Sequence, residues 1–183
     1  MVQSITTGKR VCSMFHLNPC KPSFTQESRF RFVNQITVAA KPQQIFEVIS
    51  AGKLEAEWFP DFKSCEWLTA PPHGVGSIRR YKLTYMTIIE HFTVWEPAQR
   101  MVFFLSECSL PLMTQFMEDY TITPLEDGTA RLTWQVSYSP TWWLRPLHPI
   151  LRPYFKRDFS RASANLERLL RRLASATLPE SAR

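Results

Sequence analysis

With 183 residues, 44% of them hydrophobic, and only five glycines, the chain is long and apolar enough for one domain with its own core, which excludes a largely disordered protein. It contains no run of about 18 apolar residues, which argues against a membrane-spanning helix. The formal net charge is +6, and residues 145–183 supply most of it, with nine Lys/Arg against three Asp/Glu. This basic segment is either a contact for an anionic partner or a solvated helix face. Because no groove of basic and aromatic residues accompanies it, we expect no nucleic-acid partner.

Residues 1–28 show no clear periodicity and are predicted to be a disordered leader. They contain one acidic residue, Glu27, and place Lys9 and Arg10 among Ser and Thr. This composition leaves targeting to an organelle open as an alternative.

The four cysteines, at positions 12, 20, 65 and 108, show neither the paired spacing of a metal site nor a dense disulfide framework. Cys12, His16 and Cys20 recur every four residues, but Pro19 disfavours a regular helix there and no fourth ligand is evident. We therefore expect reduced thiols, no metal, no cofactor and a cytoplasmic protein.

The domain is predicted to begin with one strand and two short helices. Alternating side chains from Arg29 to Val38 predict the strand. Pro42 opens a short helix that runs through Ile49, because proline is tolerated in a first helical turn. A second helical turn covers Lys53 to Glu57, and Trp58-Phe59-Pro60 would close one end of the core.

Six strands in succession are predicted next, joined by short connections that contain Pro or Gly. They cover Cys65 to Thr69, Val75 to Thr84, Met86 to Trp95, Arg100 to Glu107, Thr114 to Thr123 and Thr129 to Tyr138. This spacing predicts an antiparallel meander rather than βαβ units.

A long amphipathic helix from Pro153 to Leu173 ends the predicted domain, with Pro153 in its first turn. Its apolar stripe needs a large apolar surface to lie on, which the sheet provides. The stripe contains Phe155, Phe159, Ala162, Leu166, Leu169 and Leu173, and the opposite face contains Arg157, Arg161, Arg168, Arg171 and Arg172. Residues 175–183 are predicted to be a disordered tail.

The order of these elements and several segments resemble the helix-grip superfamily (SRPBCC), which includes START domains and the polyketide cyclase/dehydrase and lipid-transport proteins. The segments are IFEVIS at Ile45–Ser50, EWFPDFKSCEWL at Glu57–Leu68, GVGSIRRYKL at Gly74–Leu83, EHFTVWEPAQRMVF at Glu90–Phe103 and ITPLEDGTARLTW at Ile122–Trp134. The resemblance covers residues 29–174 and implies an α+β fold. In that fold a curved antiparallel sheet of about seven strands wraps a long C-terminal helix, with two short helices after the first strand and an apolar cavity between sheet and helix. It implies no single reaction, because the superfamily contains carriers and enzymes.

Strand pairing predicts which side chains face this cavity. A loop of two or four residues at Glu96–Gln99 pairs Phe92 with Phe103 and Glu90 with Leu105. The same register pairs Val94 with Met101 and Ile88 with Glu107. This set is the apolar one, so it should face the helix; His91, Thr93, Arg100 and Ser106 should face outward.

In the next hairpin, a two-residue turn at Asp127-Gly128 would mix the two faces. An odd-length loop with Gly128 at positive φ instead pairs Ile122 with Leu132, Tyr120 with Trp134 and Glu118 with Val136. We take the odd loop, because it brings two aromatic residues together on the buried side.

Three carboxylates, Glu90, Glu107 and Glu118, therefore point inward among aromatic residues. Each is either a polar group that holds a ligand or a general acid/base. Glu107 and Glu118 have an alternative, because near strand ends they would reach water or pair with arginine. Glu90 lies mid-strand and resembles a glutamate position of the superfamily, so it is the best single polar site.

The predicted ligand-binding residues combine these carboxylates with the aromatic wall. They are Glu90, Phe92, Phe103, Glu118, Tyr120, Trp134, Phe155 and Phe159. Ordinary core packing is the alternative for the aromatic members. No catalytic signature is present, so Glu90 and Tyr120 are catalytic candidates only if the protein is an enzyme.

Trp142 and Trp143 lie beside Arg145 in a proline-containing loop before the long helix. Tryptophan next to a basic residue suits a membrane interface, and a lid over the cavity is the alternative.

These patterns predict a monomeric carrier that holds a lipid, an isoprenoid or quinone, or a polyketide-like molecule. Peripheral contact with an anionic membrane is left open. An aromatic polyketide cyclase/dehydratase that uses Glu90 as acid or base is one alternative, and an interaction module that uses the arginine face is another.

Overall fold

The computed structural model describes residues 13–126 and 128–177. In chain order its elements are β1 (Phe15–His16), α1 (Phe24–Glu27), β2 (Phe30–Val38), α2 (Pro42–Ser50), α3 (Glu55–Trp58), β3 (Phe62–Trp67), β4 (Ile78–Leu83), β5 (Thr87–Glu96), β6 (Arg100–Cys108), β7 (Met113–Pro124), β8 (Ala130–Pro140), a 3₁₀ turn (Trp142–Leu144) and α4 (His148–Thr177).

The strands form one antiparallel sheet in the order β2-β8-β7-β6-β5-β4-β3, and β1 adds a short pair to β6. Strands β3 to β8 each lie beside the next one in the chain, which confirms the predicted meander. One face of the sheet packs against α4, whose Ala162, Leu166, Leu169 and Leu170 are buried. The architecture is the α+β arrangement of an antiparallel sheet on a long C-terminal helix that the sequence predicts.

Helix α4 begins at His148, five residues before the predicted start, so the prediction that Pro153 lies in its first turn is wrong. Pro153 has no N–H to donate to the carbonyl of Pro149. Both prolines are exposed, so water can hydrogen-bond that carbonyl and the helix continues through the proline. The helix also runs to Thr177, into the predicted tail; residues 178–183 lie outside the described residues.

The prediction of a disordered leader is wrong for residues 13–28. Phe15 and His16 pair with β6, and Cys20 and Phe24 pack against Val102 and Met117 in a second, smaller apolar cluster. This cluster is separate from the core that packs on α4, so short irregular segments can cover it without any helical or strand periodicity. Residues 1–12, and with them Cys12, lie outside the described residues.

The predicted register of the β7–β8 hairpin is confirmed, and that of the β5–β6 hairpin is confirmed only in its middle. In β7 and β8, Ile122 pairs with Leu132, Tyr120 with Trp134 and Glu118 with Val136, and Gly128 has φ +78°, all as predicted. In β5 and β6, the predicted pairs of Phe92 with Phe103 and Glu90 with Leu105 are also present.

The ends of the β5–β6 hairpin follow a different register from the predicted one. Val94 pairs with Val102 rather than Met101, and Ile88 pairs with Cys108 rather than Glu107. Irregularities between Ile89 and Glu90 and between Phe92 and Val94 shift the pairing there. A bulge adds one residue to one strand and moves the register beyond it, and the alternation of apolar residues does not reveal it.

Candidate functional site

A cavity opens between the sheet and the first half of α4. This space, which we call the mouth, has a volume of about 220 Å³. Its walls are mostly apolar side chains from loops and from α4, together with two aspartates. They belong to Phe59, Pro60, Asp61, Leu83, Tyr85, Met86, Leu110, Leu112, Phe155, Asp158 and Phe159.

A deeper space of about 30 Å³, which we call the inner chamber, shares Phe59 and Leu83 with the mouth. Its walls contain three carboxyl groups, a guanidinium and two phenols. They are formed by Ile49, Glu55, Trp58, Phe59, Arg79, Tyr81, Leu83, Ile88, Glu90, Phe103, Glu118 and Tyr120. A separate apolar space, also of about 30 Å³, lies on the other side of Phe155 and Phe159.

Arg79 joins two carboxylates in the inner chamber. Alternation along β4 turns Arg79 inward, where its Nε donates to Glu90 Oε2 at 2.5 Å and its Nη1 donates to Glu55 Oε1 at 3.4 Å. Arg79 is directly opposite Glu90 in the β4–β5 register, and Glu55 reaches it from α3. All three side chains are almost fully buried. A buried guanidinium needs a buried counter-charge, so the three residues depend on one another.

Burial and pairing act in opposite directions on these groups. Burial raises the pKa of Glu90 and of Glu55, and Arg79 opposes both shifts. Burial alone would lower the pKa of Arg79, but the neighbouring carboxylates hold it above its ordinary value. The guanidinium therefore stays charged, and its charge favours the ionised forms of the carboxylates.

Glu118 forms a second polar group in the chamber with two aromatic residues. Tyr120 Oη donates to Glu118 Oε2 at 2.6 Å, and Trp134 Nε1 donates to the same oxygen at 2.9 Å. Burial raises the pKa of Glu118 to about 7, although the two hydrogen bonds act to lower it. Glu118 is buried, so the alternative in which it reaches water at a strand end is wrong, and its inward orientation is confirmed.

The prediction that Glu107 faces the cavity is wrong. The irregularity before Glu90 pairs Glu107 with Ile89, and its Oε1 lies 3.8 Å from His16 Nδ1. The side chain is one-third exposed, so it is available to water. Glu107 therefore reaches water, as its alternative interpretation predicts, but its partner is a histidine and not an arginine.

The predicted aromatic residues divide into cavity walls and core. Phe103 and Tyr120 line the inner chamber, and Phe155 and Phe159 line the mouth. Phe92 and Trp134 are fully buried and line neither space. Phe92 stands 5.3 Å from Phe103, and Trp134 stands 5.3 Å from Tyr120, measured between ring centroids. Phe92 and Trp134 therefore pack against wall residues without lining either space themselves.

Trp142 and Trp143 are 78% and 44% exposed, and neither lines the mouth. Leu144, from the same 3₁₀ turn, is buried and lines the small apolar space beyond Phe159. Other large apolar side chains continue outward along the start of α4. We call this exposed set the apolar ridge: Trp142, Trp143, Leu147, Ile150 and Tyr154.

Four polar residues of the inner chamber, Glu55, Trp58, Arg79 and Tyr81, are absent from the predicted site. The signal for Arg79 and Tyr81 is present, because they alternate with Arg80 and Lys82 along β4. An inward arginine is uncommon, and only the register with β5 shows that Glu90 balances its charge. Glu55 has no local signal, because it meets Arg79 through the packing of α3 on the sheet.

No group of three or more His, Cys, Asp or Glu within residues 13–126 and 128–177 is arranged to hold a metal ion. Over the same residues, no helix has the length and apolar character needed to cross a membrane.

A family model described as polyketide cyclase/dehydrase and lipid transport matches residues 29–171. An uncharacterized protein of Mycobacterium tuberculosis is 30% identical over 154 residues, which are 82% of this chain and 92% of the relative. An uncharacterized protein of Mycobacterium bovis matches to the same extent.

Solved structures with the same fold have lower identity. The Zhui aromatase/cyclase from Streptomyces sp. R1128 superposes with a TM-score of 0.65 at 14% identity, over 84% of this chain and 98% of that one. A START superfamily protein from Mycobacterium smegmatis gives a TM-score of 0.61 at 18% identity, over 78% and 98%. At these identities the likeness shows the fold alone.

Proposed function

Because the chain belongs to the polyketide cyclase/dehydrase and lipid-transport family, we propose that it is a carrier for an apolar small molecule with a polar group at one end. The observation that supports this proposal is the difference in chemistry between two adjacent spaces. The mouth of about 220 Å³ has mostly apolar walls, and the adjoining inner chamber has Arg79, Glu55 and Glu90 in its walls. Apolar walls provide affinity, and a few placed polar groups fix the orientation of the ligand.

The size of the mouth favours a compact ligand. At about 220 Å³ it lies below the usual range of ligand pockets, roughly 300 to 1,000 Å³. A bicyclic aromatic molecule or one segment of an isoprenoid or acyl chain suits this space. Longer members of these classes need Phe155 and Phe159 to move, because these side chains separate the mouth from the next apolar space.

Native mass spectrometry of the purified protein tests for a molecule carried from the cell. In parallel, naphthalene, a quinone and a phospholipid are tested for thermal stabilisation of the protein. We expect a bound apolar molecule, or a rise in melting temperature with at least one of these probes. A protein that is empty and is stabilised by none of them would exclude the carrier function.

An aromatic polyketide cyclase/dehydratase is the second candidate, and Glu118 supports it better than Glu90 does. Glu90 is held by Arg79, whereas burial raises the pKa of Glu118 to about 7, which suits a general acid/base at neutral pH. The carboxylate would take a proton from a carbon between two ketones. That carbon would attack a second ketone of the same chain, the protonated Glu118 would return the proton to the new alkoxide, and loss of water would follow.

A poly-β-ketone thioester tests this alternative. If the protein is a cyclase, conversion to cyclised products exceeds the uncatalysed rate and falls at least about a hundredfold in Glu118→Gln, since general acid–base catalysis contributes at least that much. Equal rates with and without protein leave the carrier proposal in place.

The apolar ridge supports peripheral contact with an anionic membrane. Its exposed side chains lie among exposed basic residues, Arg145, Arg152 and Lys156. Apolar side chains beside cations suit an interface where chains enter the acyl boundary and cations meet headgroups. Each basic residue near such a surface contributes about 1 kcal/mol, and salt weakens this contribution.

Vesicle binding tests this contact. We expect stronger binding to phosphatidylserine vesicles than to phosphatidylcholine vesicles, a steep fall with ionic strength, and a further fall in Trp142→Ala/Trp143→Ala. Val75→Ala, which truncates an exposed apolar residue elsewhere, is the matched control. Equal binding to both vesicle types at low salt would remove the membrane from the proposal.

The basic face of α4 is a weaker candidate for protein interaction. Arg171 pairs with Glu167 at 2.7 Å and donates to the carbonyl of Thr37, and Arg172 pairs with Glu57. These contacts connect the helix to the rest of the domain. Arg168 donates to Asn165 Oδ1 at 3.2 Å within the helix, so three of the five arginines have partners within the described residues.

We propose that the protein acts as a monomer in the cytoplasm without a cofactor. Cys20, Cys65 and Cys108 are unpaired thiols, which supports a reducing compartment. Sedimentation equilibrium of the purified protein measures the oligomeric state.

A further inference from the structure

Three polar atoms of the inner chamber's residues are buried and have no hydrogen-bond partner among the described residues. They are Glu55 Oε2, Tyr81 Oη and Trp58 Nε1. Their residues are only 1%, 4% and 4% exposed. An unpaired buried polar atom is costly, so three around one chamber indicate a missing polar group.

The chemistry of the three atoms restricts that group. The indole N–H of Trp58 only donates, an ionised Glu55 oxygen only accepts, and the Tyr81 hydroxyl does both. A hydroxyl group can donate to Glu55 and accept from Trp58 at the same time. A ketone or an ether cannot donate to Glu55, and an ammonium cannot accept from Trp58.

Charge excludes an acidic group. The chamber walls hold the carboxyl groups of Glu55, Glu90 and Glu118 and a single guanidinium, that of Arg79. A ligand carboxylate or phosphate would add negative charge to a buried space that already has more acids than bases. Since a hydroxyl is neutral and can donate or accept, it also remains compatible with Glu55 in either protonation state.

The space fits a group of this size. The chamber volume of about 30 Å³ is close to the space that one water molecule takes up in liquid water. The chamber and the mouth are separate spaces with Phe59 and Leu83 in their common wall, so a hydroxyl in the chamber stays bonded to an apolar body in the mouth when these two side chains turn aside.

We infer that the inner chamber is the subsite for a hydroxyl group of the ligand, so that the protein selects phenols or alcohols over ketones, ethers, acids and amines of the same apolar body. This inference rests on the proposed carrier function. The polar contacts come from Glu55, Tyr81 and Trp58.

A series with one apolar body tests the selection. The probes are 2-naphthol, naphthalene, 2-methoxynaphthalene, 2-naphthoate and 2-naphthylmethylammonium, with dissociation constants from calorimetry at neutral pH. We expect 2-naphthol to bind at least about tenfold more tightly than each of the others, a difference of about 1.4 kcal/mol. The methoxy compound is the sharpest comparison, because it keeps the oxygen and loses only the donor.

The variant Tyr81→Phe separates a ligand contact from a structural role. It deletes an unpaired oxygen, so the free protein should keep or gain stability while its preference for 2-naphthol over 2-methoxynaphthalene falls. Tyr138→Phe is the matched control. Its hydroxyl lies 2.8 Å from His148 Nε2 outside the chamber, so this variant should lose stability and keep the preference.

The outcomes separate this inference from the carrier function. Equal affinities across the series would mean that water alone fills the chamber, and they would overturn the inference while the carrier function stands. Tighter binding of the ammonium than of 2-naphthol would also overturn it, because charge rather than hydroxyl chemistry would then decide. If no member of the series binds, the inference fails, and the quinone and phospholipid probes decide the carrier function.

Discussion

The mouth and the inner chamber are adjacent spaces with two wall residues in common, and they are built in opposite ways. The mouth takes most of its walls from loops and from the first half of α4, and these walls are mostly apolar. The chamber takes its charged groups from α3 and from strands of the sheet, and Arg79 holds two of them together. Apolar contacts on loops can adjust to ligands of different shape, whereas a buried ionic group has few arrangements that satisfy it. Under the proposed function, affinity and selectivity therefore come from different elements of the fold.

The largest expected effect is a loss of stability when the guanidinium of Arg79, the single cation in the chamber walls, is removed. Arg79→Met should lower the free energy of unfolding by about 3 to 5 kcal/mol, because Glu55 and Glu90 are left buried without a counter-charge. Urea denaturation measures this change. The matched control is Arg80→Met, on the same strand as Arg79. This variant removes the exposed ion pair of Arg80 with Glu66 and should lower the free energy of unfolding by less than about 1 kcal/mol. A small loss for Arg79→Met would mean that the two carboxylates are protonated and need no counter-charge.

The second expected effect is a pH dependence of stability from Glu118. Its pKa is raised from 4.5 to about 7, so the folded state binds the proton more tightly than the unfolded state. The resulting stabilisation is fully present below pH 4.5 and is lost as pH rises to about 7. The loss is on the order of 3 kcal/mol.

Glu118→Gln isolates this contribution, because glutamine does not titrate and its oxygen can still accept from Tyr120 and Trp134. Urea denaturation from pH 4.5 to 7 should show a smaller fall in stability for the variant. Glu55 and Glu90 also have raised pKa values and remain in both proteins, so the difference between the two curves reports Glu118. Parallel curves would contradict a shifted Glu118.

The third prediction changes the mouth and leaves the chamber intact. Leu110→Trp should reduce naphthalene affinity by about tenfold, roughly 1.4 kcal/mol, because the larger side chain fills space that the ligand needs. Stability should change by less than that, since Leu110 is only half-buried. Leu110→Met, of similar volume, is the control and should retain affinity in calorimetry. Unchanged affinity in Leu110→Trp would mean that the ligand enters elsewhere.

The smallest expected effect concerns the apolar ridge, which lies outside both spaces. Trp142→Ala/Trp143→Ala should change the free energy of unfolding by less than about 0.5 kcal/mol, and naphthalene affinity should be unchanged. Both side chains are exposed and neither lines the mouth. Denaturation and calorimetry measure the two quantities. A clear loss of naphthalene affinity would support the lid alternative for this loop.

Much of the fold follows from local patterns in the sequence. The β7–β8 register was predictable because Tyr120, Trp134, Ile122 and Leu132 repeat with period two, and Gly128 marks the loop between their strands. The bulges in β5 and β6 were not predictable, since they depend on how the sheet bends around the core. They place Glu107 beside His16 and away from the cavity.

The candidate site was only partly predictable for the same reason. Glu90 and Glu118 were found because each lies on the inward face of a strand whose partner was known. Arg79 was missed because its neutralising partner is on another strand, and Glu55 was missed because its contact crosses from α3 to β4.

Local sequence patterns specify the order of elements, the antiparallel meander and the inward face of β7 and β8. These depend on neighbouring residues, through strand alternation and turn geometry. Only the tertiary structure decided that Arg79, Glu55 and Glu90 form one ionic group and that Glu55, Tyr81 and Trp58 surround one small chamber. A buried charge is stable only where distant segments bring a counter-charge to it, and no local pattern specifies that meeting.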